Sequence, residues 1–199
     1  MGDSLMASHS SAKASVSHGV EARLGEPVVD RSVSGARMIN ALPISSALGM
    51  RISEQFTPGR WDWVILNGGG NDLWLGCGCM ACDRRMTRMI SPDGREGDIV
   101  RLVDRLRATG ARVIYVGYLR SPGQGSPIEH CRDEGDELEA RIARMAAADG
   151  GVHFLSLKDM VPHGDLSYHA PDRIHPSPKA SRAIAERIAR IISDAEAPS

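Results

Sequence analysis

Three side chains that can together perform nucleophilic catalysis lie at opposite ends of the sequence. Ser4 closes the tripeptide Gly2-Asp3-Ser4, and Asp172 precedes His175 by three residues. A serine hydroxyl is a weak nucleophile unless a base removes its proton during attack, so His175 is the candidate base and later the acid that protonates a leaving alkoxide. Asp172 lies near enough, on a tight turn, to orient the imidazole ring. Alone, however, Gly-Asp-Ser is typical of a turn that leads into a helix N-cap.

The elements that must position these residues alternate along the chain. Short β-rich runs predict strands at residues 27–33, 61–66, 112–116 and 152–155. Apolar spacing predicts helices over residues 4–24, 99–106, 138–145 and 180–191, and a weaker one within 38–56. This alternation predicts a parallel sheet covered by helices on both faces, in a single three-layer α/β/α domain over residues 1–199. Ligands bind such sheets at the carboxyl ends of the strands, which places Ser4 at the site only if a strand precedes it.

The composition argues against two classes of partner. The chain of 199 residues has 24 basic and 25 acidic residues, for a formal net charge of −1. A nucleic-acid-binding protein usually carries a basic excess, and none is present. No run of about 18 apolar residues occurs, so we expect no membrane-spanning segment. We therefore expect neither a nucleic acid nor an anionic membrane as partner.

Four short blocks lie at the predicted strand ends and helix starts. In order they are Gly2-Asp3-Ser4, Gly35, the run Gly68-Gly69-Gly70-Asn71-Asp72, and Asp172 with His175. This order and rough spacing resemble the signature of the SGNH (GDSL) hydrolases, which reads G-D-S, a lone Gly, G-x-N-D and D-x-x-H. Each block alone is a weak signal, whereas the four in order are specific, and the resemblance runs over the whole chain.

The resemblance implies a flavodoxin-like parallel sheet and a serine ester hydrolase that acts through an acyl-enzyme on Ser4. It implies that Asp172 and His175 complete the triad. The oxyanion hole would comprise the backbone N–H groups of Ser4 and Gly35 and the side-chain amide of Asn71. No metal and no organic cofactor is implied. The resemblance also implies a small-molecule, glycan or lipid ester as substrate. Enzymes of this kind act on lysophospholipids, aryl esters, thioesters and O-acetylated sugars, and the short loops here favour small acyl groups.

Two other functions stay open at this stage. The same triad could transfer an acyl group to a sugar or peptidoglycan hydroxyl, if water were kept from the acyl-enzyme. Alternatively, the chain could be a non-catalytic relic or a carbohydrate-binding domain in which Ser4 is misplaced. The oligomeric state is not predicted.

The sequence departs from the family pattern immediately before Ser4. Members normally carry a full apolar strand ahead of G-D-S, whereas only Met1 precedes Gly2 here. We expect the first strand to be truncated, and a longer natural protein that supplies the strand upstream of Met1 is the favoured explanation. Localisation stays open, because a leader could precede that strand.

Four cysteines, Cys77, Cys79, Cys82 and Cys131, are not part of the family pattern. They could form one or two disulfides that pin the loops near the site, a structural zinc site, or a set of reduced thiols. Disulfides would slightly favour a periplasmic or secreted protein if an upstream leader exists; otherwise we expect a cytoplasmic one.

We also predict roles for three further residues near the blocks. We expect Asp72 to bond nearby backbone N–H groups instead of serving as a second acid. Trp74 is a packing residue that could line the substrate pocket. His169 is expected on the rim of the site.

Overall fold

The sheet contains three parallel strands in the part of the chain that the structure, a computed structural model, describes: residues 1–40, 42–123 and 125–197. They are β1 (Trp63–Leu66), β2 (Arg112–Val116) and β3 (Val152–Leu155), in the order β1-β2-β3. Their β-branched and aromatic side chains suit a pleated, largely buried surface. Three of the four predicted strands are thereby confirmed.

The strand expected over residues 27–33 is wrong. Asp30 accepts a hydrogen bond from the N–H of Ser32 at 2.8 Å, and Val33 donates its N–H to the Gly2 carbonyl oxygen at 3.0 Å. Side-chain bonds to nearby backbone groups compete with the ladder of a strand. The segment therefore runs irregularly past the start of the chain.

The described chain contains no full strand before Ser4. The Met1 amine donates to the Ile65 carbonyl oxygen at 3.0 Å, and the N–H of Asn67 donates to the Met1 carbonyl oxygen at 3.3 Å. This is the bonding of a residue paired with Leu66 in a parallel ladder. Met1 thus adds one residue to the sheet beside β1, where an open groove of about 430 Å³ also lies.

Eight α-helices and five 3-10 or π-helical turns occur in the described residues, and none of these helices is long and apolar enough to cross a lipid bilayer. The helices are α1 (Ser4–Ala7), α2 (Val16–Leu24), α3 (Pro43–Ser45), α4 (Gly70–Cys77), α5 (Asp83–Met89), α6 (Asp98–Arg107), α7 (Arg132–Ala147) and α8 (Pro178–Glu196). The 3-10 and π-helical turns are Ser10–Ala12, Ser46–Met50, Ile52–Gln55, Glu129–Cys131 and Leu166–Tyr168.

The single helix predicted over residues 4–24 is wrong, because the chain breaks between α1 and α2. His9 and Lys13 adopt left-handed backbone conformations, with φ of 64° and 52°. Ser8 turns its hydroxyl back onto the Ser4 carbonyl oxygen at 2.6 Å, which offers the backbone an alternative to continued helix. Ser4 therefore starts a helix of only one turn.

Alternate residues of β2 point into two separate apolar cores. Val113 and Tyr115 pack with residues of α4 to α7 on one face of the sheet. Ile114 and Val116 pack with residues of α1, α2 and α8 on the other face. This period-two division is the pattern of a strand buried on both sides, and it confirms the predicted three-layer α/β/α architecture.

Candidate active site

A pocket of about 110 Å³ opens where β1 and β2 end, and it brings together residues from distant parts of the sequence. Ser4, Asn71 and His175 all line it. Its walls are mainly apolar and include Trp74, as expected, and Leu138. The carboxyl ends of parallel strands are the usual place for a ligand in this architecture.

Ser4 is held at the first position of α1 by its neighbour Asp3. One oxygen of the Asp3 carboxylate accepts the N–H of Leu5 at 3.0 Å and so caps the helix. The Ser4 side chain is half-buried, and among the described residues its hydroxyl makes no hydrogen bond, including to His175. The hydroxyl therefore faces the pocket without a competing protein partner.

His175 and Asp172 form a close pair on a tight turn. His175 Nδ1 lies 2.6 Å from one Asp172 oxygen, while the other oxygen accepts the N–H groups of Ile174 and His175, each at 3.0 Å. Partial burial raises the pKa of Asp172, but the hydrogen bonds from the His175 ring and the two N–H groups outweigh it and hold that pKa below its ordinary value. With a carboxylate on Nδ1, Nε2 is the ring nitrogen left to take up a proton.

Asn71 and Gly35 lie near each other, but only Asn71 lines the pocket. The Asn71 side-chain amide donates to the Ala36 carbonyl oxygen at 3.0 Å. Gly35, with φ of +79°, sits in a turn that the Ala36 N–H closes onto the Val33 carbonyl oxygen at 3.0 Å. Asn71 thus bonds the residue that follows Gly35, but Gly35 itself does not line the pocket.

Asp72 has the structural role that we predicted for it. Its buried carboxylate accepts the N–H groups of Met38 at 2.8 Å and Ile39 at 2.9 Å. Burial raises its pKa to about 6, against the opposing effects of these two hydrogen bonds and of Arg85. Asp72 therefore ties the segment after Gly35 to the helix that carries Asn71.

A contact between Tyr118 and Asp3 was not anticipated from the sequence. The Tyr118 hydroxyl donates to the second Asp3 oxygen at 2.5 Å and accepts the N–H of Gly70 at 2.9 Å. The position of Tyr118, two residues past β2 at the same sheet edge, is the signal that could have indicated it.

Of the three alternatives for the cysteines, the structure has the disulfides. Cys77 bonds Cys82, and Cys79 bonds Cys131. The second bond joins the loop after α4 to the turn before α7, and Cys131 lines the pocket. Cys79, Cys131 and His130 are close enough to share a metal ion, but thiolates are the metal-binding form of cysteine and two of these sulfurs are in a disulfide.

The expectation for His169 is wrong. Its side chain is buried instead of lying on a rim, and neither ring nitrogen has a hydrogen-bond partner among the described residues. An antiparallel bridge pairs its backbone with that of Pro176. Because burial disfavours the charged ring, the pKa of His169 is lowered.

Comparison with known proteins settles the family. The profile of the GDSL-like lipase/acylhydrolase family matches residues 1–183. The chain belongs to this family. The four blocks that suggested it, from Ser4 to His175, all fall within the matched region.

Solved structures of GDSL-type proteins share the fold at low sequence identity. Est24, a carbohydrate acetylesterase from Sinorhizobium meliloti, is 18% identical over 98% of this chain and 96% of its own, with a TM-score of 0.65. A protein from Slackia heliotrinireducens assigned to the SGNH hydrolases is 17% identical over 96% and 95%, also with a TM-score of 0.65. A lipolytic-type protein of the G-D-S-L family from Desulfitobacterium hafniense is 12% identical over 96% of both chains, with a TM-score of 0.58. None of the curated proteins compared matches the chain.

Proposed function

We propose that this GDSL-family protein is a serine ester hydrolase that forms an acyl-enzyme on Ser4. The observation that carries the proposal is that Ser4, Asn71 and His175 line one pocket while Asp172 binds the Nδ1 of His175. This is the set of nucleophile, oxyanion donor, base and orienting carboxylate that acyl transfer needs.

In the first half of the reaction, Ser4 Oγ attacks the ester carbonyl carbon while His175 Nε2 takes the hydroxyl proton. When the tetrahedral intermediate collapses, the bond to the alcohol breaks and His175 returns the proton to the leaving alkoxide. Water then attacks the acyl-enzyme by the same route, with His175 again as base, and releases the acid and Ser4. Asp172 stabilises the imidazolium at both stages.

Donors for the oxyanion come from three segments. The N–H groups of Ser4 and Gly35 make no hydrogen bond within the described residues, and Asn71 has a second amide proton besides the one given to Ala36. Gly35 does not line the pocket in this structure, so donation of its N–H to the oxyanion requires a small movement of the 33–36 turn toward the substrate. Loss of one such donor typically costs about 3–4 kcal/mol of transition-state stabilisation.

The pocket favours a short acyl group. Its volume of about 110 Å³ and the apolar walls from Leu73, Trp74 and Leu138 suit an acetyl-sized chain and leave little room for a long one. The shared fold of a carbohydrate acetylesterase is compatible with this substrate class. We therefore propose short-chain esters, including acetylated sugars, as substrates.

Hydrolysis is favoured over transfer to a sugar hydroxyl. The His175 side chain is 38% exposed, so water can reach the base that would activate it. Product analysis of a reaction that contains a polyol acceptor distinguishes the two: free acetate is expected, and acetylated polyol as the main product would indicate transfer.

The proposal is tested by hydrolysis of p-nitrophenyl acetate, butyrate and octanoate. We expect kcat/KM to fall as the chain lengthens, and Ser4→Ala to abolish turnover. The matched control is Ser8→Ala, which removes another hydroxyl of the same segment. The Ser8 hydroxyl bonds the Ser4 carbonyl oxygen and does not line the pocket, so this variant should stay active. Full activity of folded Ser4→Ala, or none in the wild type, would contradict the proposal.

A further inference from the structure

The Tyr118 hydroxyl connects two segments that carry proposed catalytic groups. It donates to Asp3, which directly precedes Ser4, and it accepts from the N–H of Gly70, which directly precedes Asn71. This single oxygen atom therefore hydrogen-bonds to the residue before the proposed nucleophile and to the residue before a proposed oxyanion donor.

The Asp3 end of this connection is rigid. Its carboxylate is 1% exposed, caps α1 through the Leu5 N–H, and shares the other oxygen with Tyr118. The Asp3 backbone N–H donates in turn to the Asn67 side chain at 3.3 Å, just past β1. Burial raises the pKa of Asp3, and the hydrogen bonds from the Tyr118 hydroxyl and the Leu5 N–H oppose that rise, so Tyr118 stabilises the carboxylate form of Asp3.

The Gly70 end depends on a close approach. A Cβ placed on Gly70 would lie 2.7 Å from Cζ of the Tyr118 ring, so a larger residue there would force the ring or the helix to shift. The ring therefore lies directly against the first turn of α4. This contact directs the Gly70 N–H toward the phenol oxygen and so positions Asn71, the next residue of α4.

We propose that Tyr118 is a positioning residue that sets the separation of Ser4 from Asn71. Tyr118 also lines the pocket, but its hydroxyl is committed to Asp3 and Gly70, and the proposed role acts through those two residues. The inference rests on the proposed ester hydrolysis and adds to it a residue that lies outside the four sequence blocks. Misplacement of catalytic groups by about 1 Å can cost roughly a hundredfold in rate, so loss of this connection should lower turnover more than substrate binding.

The direct test is Tyr118→Phe with p-nitrophenyl acetate as substrate. The ring remains against α4, but Asp3 and Gly70 lose their shared partner. We expect kcat to fall about tenfold to a hundredfold while KM stays within about twofold. An unchanged kcat, or a loss entirely in KM, would overturn the proposal.

Tyr115→Phe is the matched control. Tyr115 is fully buried on β2, and its hydroxyl donates to the Gly68 carbonyl oxygen at 3.0 Å, in the same loop before α4. Because Tyr115 makes no hydrogen bond to Asp3 or Gly70 among the described residues, we expect this variant to lose stability but keep kcat within about twofold of wild type. Equal losses of kcat in the two variants would mean a general effect of a missing phenol and would overturn the assignment.

A double-mutant cycle tests whether Tyr118 acts through the geometry of Asn71. If it does, Tyr118→Phe should lower kcat much less in an Asn71→Ala background than in the wild type. The two effects on unfolding free energy should simply add. Independent effects on kcat would overturn the proposal.

Asp3→Asn provides a second route if Tyr118→Phe does not fold. Asparagine can still cap α1 but turns an N–H group toward the Tyr118 hydroxyl, which then lacks its acceptor. The same fall in kcat is expected, and wild-type kcat would overturn the proposal. Failure of the proposed function would show differently, as activity retained in Ser4→Ala.

Discussion

His9 Nε2 lies 2.8 Å from the carbonyl oxygen of Pro176, the residue that follows His175. A carbonyl oxygen can only accept, so the ring nitrogen is the donor. The contact links the segment that begins with Ser4 to the loop that carries the proposed base, across 167 positions of sequence.

Replacement of His9 should loosen this link. A net hydrogen bond contributes about 1 kcal/mol, so we expect His9→Ala to lower kcat/KM about fivefold for p-nitrophenyl acetate. His18→Ala is the control, because His18 bonds Ser15 within its own segment. Equal activity of His9→Ala and wild type would show that the link does not align Ser4 with His175.

Asp172→Asn should impair turnover strongly. An amide in place of the carboxylate no longer stabilises the imidazolium and can hold the ring in the wrong tautomer, so kcat should fall at least about a hundredfold. Asp165→Asn is a suitable control, since Asp165 also accepts a backbone N–H, from Ser167 at 2.8 Å, but bonds no histidine. If both variants keep wild-type kcat, Asp172 is not the orienting group.

Asp72 should make stability depend on pH in an unusual direction. Its pKa is raised to about 6 from an ordinary 3.8, so the folded protein holds a proton that the unfolded chain has released. The proton on Asp72 adds to the free energy of unfolding in full below the unfolded pKa. That stabilisation is lost as pH rises to about 6, which lowers the free energy of unfolding by about 3 kcal/mol. The amide of Asp72→Asn does not titrate, so this variant lacks that pH dependence of stability.

Urea unfolding between pH 3.5 and 7 tests this point. The stability of the wild type relative to Asp72→Asn should decline with rising pH up to about 6 and then level off. Asp104→Asn, on the exposed face of α6, controls for the loss of a carboxylate elsewhere. A difference between wild type and Asp72→Asn that is constant with pH would contradict the prediction.

The two disulfides should differ in their effect on stability and activity. Cys79–Cys131 closes a separation of 52 residues and Cys77–Cys82 one of five, so chain entropy predicts losses of about 4 and about 2 kcal/mol when each pair becomes serine. Because Cys131 lines the pocket, KM should rise only in the variant that lacks the longer-range bond. A larger effect from the Cys77–Cys82 pair on both measures would contradict this prediction.

The sequence was informative where local pattern determines structure. Three short apolar runs became β1 to β3, and the D-x-x-H spacing alone puts Asp172 within reach of His175 on one turn. Periodicity failed where side chains compete with the backbone. Ser8 and Asp30 bond nearby main-chain groups, which breaks the helix expected after Ser4 and the strand expected over residues 27–33.

Long-range contacts could not be read from spacing. The Tyr118–Asp3 bond spans 115 positions, and nothing local to either residue selects the other. The cysteine pairing likewise depends on where α4 ends relative to the turn before α7. The assignment of residues 1–199 to one domain and the catalytic roles of the site residues stay predictions.

The central claim is that Ser4 is the nucleophile, and labelling with a fluorophosphonate tests it most directly. The reagent phosphonylates an activated serine, and peptide mass spectrometry then identifies the modified residue. The account predicts stoichiometric modification at Ser4 that parallels loss of esterase activity and is greatly slowed in His175→Ala. Modification of another serine, or esterase activity that survives with Ser4 fully modified, would contradict it.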